Sequence, residues 1–451
     1  MSYHPPEGYK GKSLQFLKKN NINAWDLVEI TKGNSKFKGI ILPRNKFAED
    51  GYIEIKLKNG YNIGIKISDD MSIKSISHNP PMAVKFNEIK IQKNKNLPNV
   101  FLLGTGGTIA SRLDYVTGGV IPAFSPQELY ASVPELSNIC NLDTEVVFQI
   151  FSEDMEPKNW LKLADRVAQL SNSGVDGIII GHGTDTMSYS TAALSFLIQN
   201  LRVPVVFVGS QRSSDRPSSD AAINLINATY VASYADLAEV VLCMLGSSSH
   251  TYGLIHRGTL VRKMHSSARH TFRTIGDIPL GKVENGKITY YKSDIRKKSK
   301  IDKNIQTTCY KKIEDKIGLI YIHPGISPDL IEYYIDKKYK GLVLAGTGLG
   351  HVPHKLFNTL ERAIEEEIVI VMTVQTLWGF TGMDVYETGR EEQKIGIVPG
   401  KNMLPETAFV KLCWALANFD DINQVKKIMQ INIAGEIIKG EPENGYKILQ
   451  E

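Results

Sequence analysis

Two glycine-rich turns, each directly after a short apolar run, constrain the fold of this chain more than any other feature. The first is FLLGTGGTIAS at residues 101–111, and the second is GIIIGHGTDTM at residues 177–187. A short apolar run bounded by a turn is typical of a strand buried on both faces of a parallel sheet. Because open α/β sheets gather ligand chemistry at the carboxyl ends of their strands, the two turns predict one crevice at that edge.

The first turn alone leaves several interpretations open. A dinucleotide fingerprint needs a glycine where the chain has Ile109, and a P-loop needs a final G-K-[ST], so phosphate binding is disfavoured. Thr105 and Thr108 could expose a hydroxyl for chemistry, or they could only cap the turn or the helix after it. The second turn favours chemistry, because Thr184 and Asp185 stand where a helix would begin. A hydroxyl nucleophile needs a base, a group that orients it and donors for the oxyanion.

Composition limits the class of protein. A chain of 451 residues predicts two or three domains, and 42% hydrophobic with 22% charged residues is typical of a globular protein. No apolar run approaches the roughly 20 residues of a membrane span, and the N-terminus does not resemble a secretory signal, so a cytoplasmic location is expected. The cysteines are widely separated, which argues against a zinc site or a disulfide framework and predicts reduced thiols. They are Cys140, Cys243, Cys309 and Cys413.

The sequence of the N-terminal part of the chain predicts a small basic β-barrel. Residues 26–30, 37–42, 52–57 and 61–67 alternate apolar with polar residues, as half-buried strands do, and Asn59-Gly60 is a hairpin signal. Residues 1–97 contain 17 Lys+Arg and 9 Asp+Glu, a surplus of +8. That surplus predicts either a well-solvated lysine face or attraction to RNA or an acidic partner.

From residue 98 the pattern changes to strands that alternate with helices. Apolar runs at 100–103, 177–180, 205–208 and 240–245 are separated by amphipathic stretches such as 159–169, and the alternation restarts at 317–322 and 341–344. The predicted fold class is α/β, with a two-domain parallel-sheet architecture preceded by the small N-terminal β-barrel. The predicted boundaries are a barrel at 1–86, a linker at 87–97, an α/β domain at 98–300, a connector at 301–316, a smaller α/β domain at 317–435 and a tail at 436–451.

The motifs TGGTIAS and HGTDTM resemble the two signature motifs of the L-asparaginase family, and the similarity extends from about Asn99 to Ala434. The resemblance implies an asparaginase-like fold for both α/β domains. It also implies that Thr108 is the nucleophile and that Thr184 and Asp185 act beside it. In GTLVRKMHSSARHTF, Lys263 takes the place of the family's catalytic lysine, a proton shuttle or electrostatic partner for that pair.

The same resemblance implies a set of substrate-binding residues. Tyr115, in SRLDYVTGG, takes the place of a loop tyrosine that assists the nucleophile, and Gly183 lies in the second signature motif. The family's substrate-gripping Ser-Gln pair falls on Ser152 and Glu153. Glutamate only accepts hydrogen bonds where glutamine also donates them, so this chain departs from the family there. His182 is expected to support its turn.

A second histidine motif lies in the turn that, in this family, completes the cleft from the second domain. His351 and His354 form H-x-x-H within GTGLGHVPHK. Zinc would need a third nearby ligand, and none is evident from the sequence, so a core or surface role is favoured and no metal is predicted.

Three further stretches resemble one branch of the family, in which the hydrolase is one component of a tRNA-dependent amidotransferase. They lie at 209–225, 256–273 and 383–412. The branch implies glutamine as the amide donor, a partner subunit that uses ATP and Mg²⁺, tRNA bound mainly by that partner, and a homodimer within a heterotetramer. This chain itself would bind no cofactor. The alternatives are a stand-alone L-asparaginase with an accessory barrel and a non-enzymatic RNA-associated scaffold, and the presence of all four catalytic residues argues against the scaffold.

Overall fold

The chain builds three main β-sheets, one in each part that the sequence pattern separates. For residues 111–113 and 120–122 the structure describes the backbone alone. Thr108 and Tyr115 lie outside the described part of the chain. The structure is a computed structural model, and it describes residues 6–44, 47–58, 61–78, 93–106, 111–113, 120–122, 129–130, 133–212, 218–302, 304–443 and 445.

The N-terminal sheet is antiparallel and follows one helix. The elements are α1 (Gly11–Lys19), β1 (Asp26–Lys32), β2 (Ser35–Ile41), β3 (Tyr52–Leu57), β4 (Asn62–Lys66) and β5 (Met71–His78). The strands pair in the order β4-β3-β2-β1-β5, and no ladder between β4 and β5 is present among the described residues. Val28, Ile30, Ile53 and Ile55 are fully buried, which is what the period-two pattern requires of one face.

The four strands predicted in this region are confirmed, whereas α1 and β5 were not predicted. The antiparallel pairing of β3 with β4 agrees with a hairpin, although Asn59 and Gly60 themselves lie outside the described residues.

The central part contains an eight-stranded sheet that carries the second glycine turn. Its order is β18-β17-β14-β13-β12-β10-β6-β9, parallel from β9 to β13 and antiparallel from β13 to β18. The four predicted apolar strands are confirmed. The elements are β6 (Asn99–Gly104), β7 (Ser111–Leu113), β8 (Val120–Pro122), β9 (Asn141–Val146), α2 (Pro157–Asn172), β10 (Gly177–Gly181), α3 (Met187–Leu197), β11 (Ile198–Gln199), β12 (Val205–Val208), α4 (Ala221–Tyr234), β13 (Val240–Leu245), β14 (Gly253–Arg257), β15 (Val261–Lys263), β16 (Phe272–Thr274), β17 (Gly281–Glu284) and β18 (Lys287–Tyr290).

Helices cover both faces of this sheet, and for that reason its central strands are apolar at consecutive positions. Ile178 and Ile180 pack in the core that contains α2 and α3, whereas Ile179, between them, packs in the core that contains α4. All three side chains are fully buried. A strand covered on both faces needs no polar alternation, and this explains the GIII run in the sequence.

The C-terminal part forms a four-stranded parallel sheet, in which the two predicted apolar strands are confirmed. Its strands follow the order β20-β21-β22-β23. The elements are β19 (Thr308–Cys309), β20 (Ile317–Tyr321), α5 (Asp329–Asp336), β21 (Gly341–Gly346), α6 (Phe357–Glu365), β22 (Val369–Val374), α7 (Glu387–Lys394), β23 (Val398–Pro399), α8 (Pro405–Asn418) and α9 (Ile422–Met429). The expected two-domain α/β architecture, preceded by a small N-terminal β-sheet domain, is confirmed by these sheets.

Helix α8 joins the two α/β domains. Its side chains share a core with α3 and with the C-terminal sheet, and the rings of Trp414 and Phe196 stack with their centroids 5.8 Å apart. The same helix carries Lys411, which is fully buried and forms an ion pair with the fully buried Glu436 at 2.6 Å. Strand β19 pairs with β11, so the segment between the two domains packs against the first of them.

Cysteines, membrane-spanning helices and metal-binding clusters are features commonly related to function. All four cysteines are free; three are buried and Cys309 is half-buried. Within the described ranges, no helix has the length and apolar character to cross a bilayer. The same ranges contain no cluster of three or more His, Cys, Asp or Glu side chains that could hold a metal ion.

Candidate active site

The turn after β6 is built by close backbone contacts. The backbone N–H and the hydroxyl of Thr105 both donate to the carbonyl oxygen of Gly181, each at 3.0 Å, so this threonine ties the end of β6 to the end of β10. Gly106 has φ +111°, and a Cβ there would lie 2.1 Å from the carbonyl oxygen of Ile150. Glycine is therefore required in this turn for conformation and for space. The hydroxyl of Thr105 is structural, and the chain leads from this turn towards Thr108.

The turn after β10 lies next to the first one, because Gly104 and Gly181 are directly paired in the sheet. Gly183 approaches Ser152 so closely that a Cβ on it would lie 2.7 Å from the Cβ of Ser152. His182 is buried beside this turn, its Nδ1 lies 2.6 Å from the carbonyl oxygen of Gly183, and burial lowers its pKa to about 4. The imidazole is therefore neutral near pH 7 and supports the turn, as the sequence predicted.

Lys263 joins the second turn to the ribbon formed by β15 and β16. Its Nζ donates to Thr184 Oγ1 at 2.9 Å and to Asp185 Oδ1 at 2.7 Å. The other carboxylate oxygen of Asp185 accepts from Ser152 Oγ at 3.4 Å. Four residues placed at this site from the sequence therefore lie within one hydrogen-bonded group, although up to 111 residues of chain separate them.

The side chains of this hydrogen-bonded group differ in their exposure to solvent. The side chain of Lys263 is 13% exposed and that of Asp185 is 66% exposed, while Thr184 is buried. The ammonium is thus shielded and fixed by two acceptors, whereas the carboxylate can still meet a positively charged ligand such as an α-ammonium group. The ammonium of Lys263 lies between a buried hydroxyl and a carboxylate, and such a group can relay or polarise a proton.

The remaining site residues are placed less fully. Ser152 is buried and Glu153 beside it is exposed, so the departure from the family falls on a solvent-facing carboxylate. Thr108 and Tyr115 lie outside the described residues, and their roles stay predictions. In the second domain, His351 Nδ1 faces Glu392 at 3.7 Å, and His354 Nε2 lies 3.9 Å from Glu391 on the surface.

The sequence did not single out two polar contacts that hold this site. Thr186 donates its hydroxyl to the carbonyl oxygen of Ser152 at 2.7 Å, and this contact fixes the Ser152 turn against the start of α3. Arg262, next to Lys263, forms an ion pair with Glu406 at 3.1 Å. The position of Thr186 immediately before a helix could have drawn attention to it. Nothing local in the sequence points to the contact between Arg262 and Glu406.

Three family models match the chain in succession. They are described as GatD N-terminal domain, over residues 22–76, Asparaginase, N-terminal, over residues 99–296, and Glutaminase/Asparaginase C-terminal domain, over residues 316–429. The three matches correspond to the three main sheets.

Relatives and a solved structure match over long stretches. The chain is 46% identical over 439 residues to the D subunit of glutamyl-tRNA(Gln) amidotransferase from Pyrococcus furiosus, covering 96% of this chain and 99% of that protein. It is 43% identical over 447 residues to the D subunit of the same enzyme from Methanopyrus kandleri, covering 97% of both. The thermostable L-asparaginase from Thermococcus kodakarensis matches with a TM-score of 0.67 and 29% identity, covering 76% of this chain and all of that one.

Proposed function

The chain belongs to the family formed by the D subunits of glutamyl-tRNA(Gln) amidotransferase, and on this premise we propose that it releases ammonia from glutamine by threonine nucleophilic catalysis. The released ammonia serves the ATP-dependent conversion of Glu-tRNA(Gln) to Gln-tRNA(Gln) with a partner subunit. The observation that carries the proposal is the contact of Lys263 with both Thr184 and Asp185 at the edge of the parallel sheet.

In the proposed reaction, the hydroxyl oxygen of Thr108 forms a bond to the side-chain amide carbon of glutamine. The hydroxyl proton of Thr108 is transferred to the amide nitrogen, the C–N bond breaks, and the nitrogen departs as ammonia. Water attacks the resulting ester and releases glutamate, which regenerates the hydroxyl. Two steps through a covalent intermediate replace one difficult displacement.

Thr184, Asp185 and Lys263 move protons in this proposal. Lys263 donates to Thr184 Oγ1, so the proton of that hydroxyl is directed away from the ammonium. Asp185 balances the charge of Lys263 and is exposed enough to accept from the α-ammonium of glutamine. Ser152, Glu153, Gly183 and Tyr115 are proposed to complete the substrate pocket.

The second half-reaction requires groups that this chain is not proposed to supply. Activation of tRNA-bound glutamate uses ATP and Mg²⁺, which we assign to the partner, the E subunit of the amidotransferase (GatE), together with most of the tRNA(Gln) contacts. No cofactor is assigned to this chain. The proposed assembly is a homodimer of this chain within a heterotetramer.

A coupled assay separates this function from that of a stand-alone asparaginase, an alternative favoured by the structural match to an L-asparaginase. Glutamine and asparagine hydrolysis are measured with the chain alone and with GatE, charged tRNA(Gln) and ATP. We expect glutamine hydrolysis to rise when the full set is present and Gln-tRNA(Gln) to form. Hydrolysis at a rate that neither the partner nor tRNA changes would contradict the proposal.

A further inference from the structure

The residue before Lys263 makes a contact between the two α/β domains. Lys263 ends the three-residue strand β15, in which successive side chains point to opposite sides. Lys263 reaches towards Thr184 and Asp185, and Arg262 reaches the other way, to the second domain. Its Nε lies 3.1 Å from Glu406 Oε1 and its Nη1 donates to Glu406 Oε2 at 3.3 Å. An ion pair with one hydrogen bond therefore joins β15 to α8 across the boundary between the domains.

The partner carboxylate is itself firmly placed. Glu406 follows Pro405 in the first turn of α8, where the helix dipole favours a negative charge, and its side chain is 8% exposed. Burial raises the pKa of Glu406, and the charge of Arg262 opposes that rise. The guanidinium also donates to the hydroxyl of Tyr321, at the end of β20, at 3.4 Å. Arg262 therefore contacts two elements of the second domain.

A second tie runs between the same two segments. The hydroxyl of Thr407, next to Glu406 in α8, donates to the carbonyl oxygen of Thr259 at 2.8 Å. Thr259 lies two residues before β15, so the chain is held on both sides of Val261. The strand β15 pairs only with β16 among the described residues. A two-stranded ribbon has little rigidity of its own, and its position depends on such ties.

We propose that Arg262 and Glu406 are positioning residues that hold Lys263 against Thr184 and Asp185, so that the proton-transfer group is complete only when the second domain is docked on the first. The inference rests on the proposed function, in which Lys263 acts in the transition state. Neither positioning residue touches the substrate in this proposal. They act by fixing the strand from which Lys263 extends.

The test is a steady-state comparison of glutamine hydrolysis in the full complex with GatE. Glu406→Gln removes the carboxylate charge and keeps the side-chain shape. We expect kcat to fall by roughly 10- to 100-fold with KM within about twofold, because a small misplacement of a catalytic group acts on the chemical step. Arg262→Lys keeps the charge but loses the guanidinium, which contacts both Glu406 and Tyr321, and we expect an intermediate kcat.

The chain offers a matched control in a second buried Arg–Glu pair. Arg257 Nε lies 3.0 Å from Glu239 Oε2, with side-chain exposures of 8% and 14%. Arg257 pairs with Val241 near the start of β13, at the edge of the sheet opposite to the candidate active site. Glu239→Gln should lower the melting temperature as Glu406→Gln does and leave kcat within about twofold of the unsubstituted complex.

Equal kcat values for Glu406→Gln and Glu239→Gln would overturn the inference. If Glu406→Gln does not fold, Arg262→Lys is measured instead, and an unchanged kcat there has the same meaning. Lys263→Met distinguishes failure of the positioning role from failure of the proposed function. Loss of kcat in Lys263→Met without loss in Glu406→Gln contradicts the positioning role alone, whereas full activity of Lys263→Met contradicts the role of Lys263 in the proposed function.

Discussion

At the scale of single residues, one lysine at the candidate site has surroundings that differ from those of an ordinary surface lysine. Lys263 is largely shielded and donates to a buried hydroxyl and to a carboxylate. Holding a lysine in this way is unfavourable in free energy, because the ammonium loses hydration and the side chain loses conformational entropy. An exposed lysine loses neither. Removal of the ammonium distinguishes proton transfer with Thr184 and Asp185, the proposed role of Lys263, from simple attraction of the substrate carboxylate.

Lys263→Met separates these two explanations, because methionine keeps most of the stem and removes the charge. A group that acts in the transition state lowers kcat when it is removed, and general acid–base groups are typically worth about 10²- to 10⁴-fold. We expect kcat for glutamine hydrolysis to fall by roughly 10²-fold or more with folding retained. The measurement is a steady-state assay with circular dichroism as the check of folding.

Lys292→Met is the matched control for this substitution. The side chain of Lys292 is 16% exposed and forms an ion pair with Asp277, so it is shielded and paired much as Lys263 is. Its removal should leave kcat within about twofold. A Lys263→Met chain whose KM rises while kcat is unchanged would show that Lys263 only binds substrate.

At the scale of secondary-structure elements, periodicity predicted the strands and failed for contacts between distant segments. Four of the five strands of the N-terminal sheet, and the six apolar strands predicted in the two α/β domains, follow directly from their patterns. Helix α1 was missed because it has nine residues, and its first turn is held from outside by Asp50, whose carboxylate accepts from the backbone N–H groups of Lys12 and Ser13. A capping partner 37 or 38 residues away leaves no local signal.

Likewise, some contacts of the candidate site could be predicted from the sequence and others could not. The position of Thr184 and Asp185 at the end of a parallel strand could be predicted, since the strand and the turn adjoin in sequence. That Lys263 belongs beside them came from the family resemblance, because 78 residues separate it from Asp185. The contact of Arg262 with Glu406 spans 144 residues and two domains, and no pattern within either segment encodes it.

Helix α7 carries a buried carboxylate whose ionisation is expected to affect the stability of the protein. Glu392 is fully buried; one oxygen accepts from the backbone N–H of Val352, and the other has no hydrogen-bond partner among the described residues. Burial raises its pKa from an ordinary value of 4.5 to about 7. Burial also lowers the pKa of the neighbouring His351, so the imidazole offers no compensating charge at neutral pH.

Glu392→Gln should stabilise the protein in a pH-dependent way. Between pH 4.5 and about 7 the folded state keeps a proton that the unfolded state has lost, so this glutamate makes the protein progressively less stable as pH rises from 4.5 to about 7. Glutamine carries no charge and avoids that loss. We expect the free energy of unfolding to rise by about 1–3 kcal/mol at pH 8 and by clearly less at pH 5.

Chemical denaturation at the two pH values measures the effect, with Glu391→Gln as the control. Glu391 is the preceding residue of the same helix, and its side chain is 48% exposed. Its substitution should change stability little at either pH. A gain of equal size at pH 5 and pH 8 for Glu392→Gln would mean that ionisation of this carboxyl is not its cause.

At the scale of the whole molecule, charge is distributed unevenly among the three parts. The surplus of +8 belongs to residues 1–97. In the N-terminal sheet, Glu29 is paired on one side with Lys38 and on the other with Lys74, so a lysine flanks this glutamate on each side of the same face. The exposed lysines of this basic face are Lys36, Lys38, Lys66 and Lys74.

We predict that the basic face serves assembly with GatE or tRNA(Gln) rather than hydrolysis. Changing its four lysines to glutamine should weaken formation of the complex by about tenfold at low salt, with a smaller effect as salt rises, since exposed charges are screened. Binding is measured separately for GatE and for tRNA(Gln). Glutamine hydrolysis by the chain should not change.

The control replaces four exposed lysines of the C-terminal domain. They are Lys337, Lys340, Lys355 and Lys394. This set removes the same charge from another surface. Equal weakening by both sets would indicate a general effect of net charge, and unchanged assembly by the first set at every salt concentration would refute a role for the basic face.

The central claim is that this chain supplies ammonia and its partner uses it, and Thr108→Ala tests that claim most directly. Amidation of Glu-tRNA(Gln) by the reconstituted complex is measured with glutamine and, in parallel, with free ammonia, with Thr108→Ser as the conservative comparison. We predict that Thr108→Ala abolishes glutamine-dependent amidation and leaves ammonia-dependent amidation nearly intact. Equal loss of both activities would contradict the account, because Thr108 would then support the structure of the complex and not the release of ammonia.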